Sequence, residues 1–222
     1  MRHPVPFLTR LRKNASGVAA VEFALGLPLI LTLGLWGAEL GNLAVTHMRV
    51  SQVAMQIADN GSRVGDVSML ENLKIYESDI NDLLVGAKVQ GGGLDLFENG
   101  RVVISSLEVV DGTEDTQYIH WQRCKGKRNF QSDYGPAGTG TDGSLSGMGP
   151  AGDEVTASKD EAVIFVEIEY AYRPIVSAKF VPASPIRVTA AFNVRDDRDL
   201  TQIYQRDAGE PDPVADCNVY GG

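Results

Sequence analysis

Histidine and cysteine are scarce in this chain: three histidines and two cysteines among 222 residues. Zinc sites draw on clustered Cys and His. His3, His47 and His120 lie far apart in sequence, and so do Cys124 and Cys217. No Ser/His/Asp or Cys/His arrangement stands out, which leaves nucleophilic catalysis without a sequence basis. The one glycine-rich stretch lacks the Gly-Lys-Ser/Thr ending of a phosphate loop. Basic residues are also few beyond the N-terminus. Four of the 20 (Arg2, Arg10, Arg12 and Lys13) precede Val18, while all 29 acidic residues follow it. An acidic body offers no clustered Lys and Arg for phosphates, which excludes a nucleic-acid partner. We therefore expect neither an enzyme nor a cofactor.

The chain does have one long apolar run. Val18–Ala38 is 21 residues with Glu22 as its only charge. As a helix it extends about 31 Å, enough to cross the hydrocarbon of a bilayer. A cleaved secretory signal has a shorter apolar region followed by a small-residue site. Here the small residues, Ala15-Ser16-Gly17, come before the run. That order suits a leader removed on the cytoplasmic side, with the apolar helix kept on the mature protein. The basic block beside the run places the N-terminus in the cytoplasm and the body outside.

Cleavage after Gly17 makes Val18 the new N-terminus and Glu22 its fifth residue. Positions i and i+4 share a helix face. The freed α-amine then compensates the Glu22 carboxylate, within one chain or across to a neighbour, and the helix macrodipole favours an anion there. The alternative is that Glu22, only about 6 Å into the helix, snorkels to the interface. Pro28 removes a backbone hydrogen bond and favours a kink, which membrane helices tolerate. Gly26, Gly34, Gly37 and Gly41 provide small faces for close helix packing.

Gly17 with Glu22-Phe23 resembles the prepilin processing signature. The longer string GVAAVEFALGLPLI, followed by Glu39-Leu-Gly41, resembles the TadE-like family of tight-adherence pilus assembly. The likeness covers about residues 16 to 45. Pro28, Glu39 and Gly41 match its pattern, while Leu40 stands where relatives often carry an aromatic. The resemblance implies cleavage between Gly17 and Val18 by a prepilin peptidase. It implies assembly roles for Glu22, with Phe23, Pro28 and Glu39 beside it. It also implies a minor pilin or pseudopilin, non-enzymatic, that helps initiate or build a type IV-like pilus. Its partners would be other pilin and minor pilin subunits, the inner-membrane assembly platform and the lipid bilayer. An uncleaved, membrane-tethered periplasmic binding module is the alternative.

Helical spacing continues past the run through Leu40, Leu43, His47, Val50, Ala54 and Ile57, widened by Val45, Met48 and Met55. His47 is expected to be packed or at an interface. Asn60-Gly61 is a suitable C-cap. One helix from Val18 to about Asp59 is thus predicted, roughly 63 Å long. Ser68-Met-Leu-Glu71 reads as a capping box opening a second helical region, running through Leu84 with an interruption near Ser78 and ended by Gly91-Gly-Gly93. Strands follow at Arg101–Val110 and Gln117–Cys124, joined by a polar turn, then at Ala162–Arg173 and Ile186–Arg195. Ile164, Val166, Ile168 and Tyr170 alternate with Glu167 and Glu169, which predicts an antiparallel sheet with one wet face.

The fold class is therefore α+β, pilin-like: a long N-terminal transmembrane helix with its distal half packed on an antiparallel sheet of about four strands. In domain terms, residues 1–17 are a cytoplasmic basic leader and 18–60 the transmembrane and extended helix. Residues 61–222 are a periplasmic α+β head, with the protein single-pass in the inner membrane. Gly135–Gly152 holds seven glycines and is expected to be a flexible loop. The acidic, proline-containing tail from Asp207 to Asp216 is too polar to fold alone. A Cys124–Cys217 disulfide, suited to an oxidising compartment, would pin it; two free thiols are the alternative. Acidic clusters at Asp111–Asp115 and Asp196–Asp199 lack the EF-hand spacing and read as solvated surface.

Overall fold

A computed structural model describes residues 17–65, 72–195 and 197–221. The basic leader up to Ser16 and the Ser68–Glu71 capping box lie outside the described residues. The first element is the long helix α1, Val18–Gly61, which runs without interruption through Pro28. It ends at the Asn60-Gly61 signal, where Val64 N–H donates to Asn60 O at 3.1 Å.

Two compact units can be distinguished. One holds α1 up to Leu43 with Pro174–Pro182; the other holds Ala44–Arg173 with the chain from Ala183 onward. In the second unit, the head, α1 buries Val50, Val53, Ala54, Ile57 and Ala58. These positions recur at three and four residues and form one stripe. At Gly61 a Cβ would lie 3.1 Å from Ile164 Cγ2 and 3.6 Å from Leu83 Cδ1, so the helix end meets both the sheet and the next helix. The buried stripe is narrower than the sequence pattern implies. His47 is exposed, as are Val45, Met48 and Met55, which occupy a different side of α1.

The second helix, α2, spans Glu77–Gly91; it ends at the Gly91-Gly-Gly93 signal and runs through Ser78, where an interruption is expected, without a break. Between residues 72 and 76 the chain makes the bridges Leu73↔Arg198 and Tyr76↔Tyr204. Tyr76 N–H donates to Asp79 Oδ2 at 3.0 Å and closes the first turn. Buried Glu77 pairs with Arg123, whose Nε lies 2.9 Å from Glu77 Oε2. A 3-10 turn, Gly92–Leu94, and a short α3, Leu96–Asn99, lead into the sheet.

The strands are β1 (Gly100–Val109), β2 (Gln117–Lys125), β3 (Ala162–Tyr170) and β4 (Ile186–Asn193). They form one sheet in the order β2-β1-β3-β4, with all three pairings antiparallel. The architecture is the α+β arrangement of a long apolar helix followed by a four-stranded antiparallel sheet.

One face of the sheet differs from its alternating pattern. Every residue of β1 up to Glu108 and of β3 is buried, Glu167 and Glu169 included. The polar row is roofed by the glycine-rich segment and the C-terminal tail. Leu107, Ile119, Val163 and Phe165 share a core with Met148 and Ala157, and Val103 and Cys124 pack on Phe130 with Cys217 beside them. The glycine-rich segment is consequently a packed cover. Met148 exchanges two backbone hydrogen bonds with Val155, and Gly138 N–H donates to Ile119 O at 2.7 Å. Gly140, at φ +95°, would place a Cβ 2.4 Å from Gln117 O, so glycine is what permits the close approach.

Burying the carboxylates requires compensation. Glu169 receives Arg128 Nε and Arg187 Nε, each at 2.9 Å. Glu167 accepts the Asp133 N–H, at 3.0 Å, through Oε1, and the Ser132 side chain also hydrogen-bonds to it. Its Oε2 has no hydrogen-bond partner among the described residues. Desolvation raises the Glu167 pKa above the ordinary carboxylate value.

Candidate functional site

The sequence motifs converge on the first unit. Gly17 directly precedes α1, whose first residue is Val18. Val18, Phe23 (66% exposed), Leu29, Ile30 and Leu33 are uncovered by the rest of the chain. The helix is long and apolar enough to cross a membrane, and none of its most apolar window is buried. Glu22 lies within this uncovered surface, and no described side chain pairs with it. Pro28 is likewise exposed; its carbonyl accepts the Thr32 hydroxyl at 2.7 Å. Gly26, Gly34, Gly37 and Gly41 have nothing within 4 Å of the Cβ position, which leaves their faces open to a close helical neighbour.

Glu39 is the exception on this helix. It is fully buried, at 0% exposure. Oε2 accepts Val176 N–H at 2.6 Å and Ser177 N–H at 3.1 Å, and Oε1 accepts Ile175 N–H at 3.2 Å. Ser177 Oγ then accepts Lys179 N–H and caps the 3-10 turn Ala178–Phe180. Three successive amides on one carboxylate make a charge-assisted clasp. The sequence marked Glu39 as an assembly residue; the structure engages it inside its own chain, 136 to 138 residues away.

The second feature is the latch on the C-terminal tail. Cys124 and Cys217 form a disulfide across 93 residues. Cys124 N–H donates to Ala215 O at 2.8 Å, and Gly126 N–H to Gly221 O at 2.9 Å. Arg101, buried completely in β1, was not singled out by any sequence signal. Its Nη1 donates to Gly126 O at 2.8 Å and Val219 O at 3.1 Å, and its Nη2 to Cys217 O at 2.6 Å. The guanidinium stacks 4.1 Å over the Tyr220 ring. Gly126, at φ +129°, would put a Cβ 2.3 Å from Gly100 O, so only glycine lets the chain turn beneath this cation.

A third polar cluster sits on β1 and β2. Glu108 accepts Ser106 Oγ at 2.6 Å and faces His120 Nδ1 at 2.9 Å. The Glu108 hydrogen bond raises the His120 pKa against the opposing effect of burial. The serine bonds to the carboxylate and not to the imidazole, which is not the geometry of an activated nucleophile. The Asp199 carboxylate is engaged by Thr201 and by Tyr204 Oη, and among the described residues no acidic or histidine group is placed to hold a metal ion.

Against known proteins, residues 17–59, nearly the whole of α1, match the family model described as TadE-like protein. No curated protein and no solved structure matches the chain.

Proposed function

We propose that this chain is a membrane-anchored minor pilin or pseudopilin that helps initiate or build a tight-adherence, type IV-like pilus. The observation that carries the reading is the TadE-like match over residues 17–59, laid along one continuous helix, Val18–Gly61, whose apolar surface is left uncovered on either side of Glu22. A prepilin peptidase cleaves after Gly17, and the freed amine and Glu22 neutralise each other in the lipid. Phe23, Pro28 and the open glycines provide the packing surface for other pilin subunits and the inner-membrane assembly platform. The exposed Val45, Met48 and Met55 continue that surface along α1. The head stands in the periplasm, where the disulfide and Arg101 hold its tail against the sheet.

The reading is tested by deleting the chain from a piliated host and counting surface pili by electron microscopy. Pili are expected to vanish while the major pilin is still made, and to return with the wild-type chain. Normal pilus numbers in the deletion strain would overturn it.

A further inference from the structure

The loop held by Glu39 is built for a lipid surface. Glu39 follows directly on the apolar run, about 31 Å along the helix from Val18. Trp36, nearly half exposed, lies one turn before it, at the level where aromatic residues mark a membrane–water interface. The clasp fixes Ile175, Val176 and Ser177 at that same level. Ile175 is 65% exposed and Val176 38% exposed, although both are apolar. Phe180 and Val181 are half-buried beside them. Pro174–Pro182 carries Lys179 as its only charge, and no acidic residue occurs from Ala171 to Arg195 in a chain that has 29.

The clasp also removes the usual obstacle to such an insertion. An irregular loop entering a bilayer brings unsatisfied N–H groups, each costly away from water. Here the N–H groups of residues 175, 176 and 177 are already spent on Glu39. Ile175 and Val176 leave aliphatic side chain exposed, beside a lysine suited to anionic headgroups.

We infer that the Pro174–Pro182 loop is a second membrane contact. It dips Ile175 and Val176 into the outer interfacial layer of the bilayer that α1 crosses, with Lys179 among the lipid phosphates. The inference rests on the proposed membrane span of α1, and the test separates the two. The full chain is reconstituted into vesicles of phosphatidylethanolamine and phosphatidylglycerol. An environment-sensitive fluorophore is attached at Ile175→Cys and, in a separate sample, at Leu29→Cys; the native cysteines are consumed in their disulfide. Quenching is measured with lipids carrying a nitroxide near the headgroup or deep in the acyl chain, and with aqueous iodide.

The Leu29 label is expected to be quenched by the deep nitroxide, which reports the span. The Ile175 label is expected to be quenched by the shallow nitroxide, and several-fold less by iodide than in detergent-free amphipol. Glu39→Ala is expected to restore iodide access at position 175 without changing the Leu29 label. A quenched Leu29 label with a freely iodide-accessible Ile175 label would overturn the loop inference and leave the span standing. Shielding of position 175 from iodide without nitroxide quenching would point to a protein neighbour and overturn it equally. An unquenched Leu29 label would overturn the span itself, and the loop inference with it.

Discussion

Cells carrying Glu22→Ala are expected to lose their surface pili, with counts falling at least about tenfold, the ratio that 1.4 kcal/mol of lost interaction produces at one assembly step. A carboxylate in a spanning helix is expensive unless it is paired. No described side chain of this protein supplies the partner. Cleavage after Gly17 supplies one: a cation on the same helix face, four residues away. Removing the carboxylate leaves that amine as an unpaired charge in the same apolar layer, so the variant is harmed at the docking step and not in the fold of the head. Glu22→Gln keeps the shape and a hydrogen-bonding group but not the charge, and is expected to fail as alanine does. Glu22→Asp, with a shorter reach, is expected to retain partial assembly. Normal piliation by both the Ala and Gln variants would show that Glu22 does no more than sit at the interface.

The second large effect concerns the tail. Cys217→Ser is expected to destabilise the head by about 4.6 kcal/mol, the chain-entropy value for closing a loop of this length. That corresponds to a fall of roughly 10 °C in Tm for a chain of this size. Arg101→Met acts on the same segment from the other side. It removes the donor to the carbonyls of Gly126, Val219 and Cys217 and the cation over Tyr220. The two substitutions share one structural consequence, release of residues 213–221 from β2 and its end. Their combined cost is therefore expected to fall below the sum of the single costs. Differential scanning calorimetry on the four proteins of the cycle measures it. Strict additivity, or a Cys217→Ser shift under about 2 °C, would mean that the tail is not held as a unit.

How much of this was legible beforehand follows from how local each signal is. The bounds of α1 were, because an apolar run, a continuing three-four spacing and Asn60-Gly61 all lie within the helix itself. The four strands were, because alternation and β-branched residues mark them residue by residue. The burial of Glu167 and Glu169 was not. Alternation shows that they face away from Ile164 and Ile168 but cannot show that a glycine-rich segment with no apolar period roofs that face. The same holds for Glu39. Its carboxylate matched a local motif, yet its partners are three amides in the β3–β4 connection, joined to it by nothing that sequence spacing records. Arg101 looked like any charged residue at the start of a strand; only the tail folded over it makes it a latch. His47 shows the reverse case: it shares a face by spacing with Val50, Ala54 and Ile57, which are buried, but it lies one turn before Val50 and stays exposed.

The most direct test of the central claim, a helix that begins with a free amine beside Glu22, is the intact mass of the chain extracted from the membranes of piliated cells, with its N-terminal peptide sequenced. The account predicts a mature chain starting at Val18 and a full-length chain accumulating in a Gly17→Ala strain. A wild-type chain recovered from the working pilus machinery with residues 1–17 still attached would contradict it.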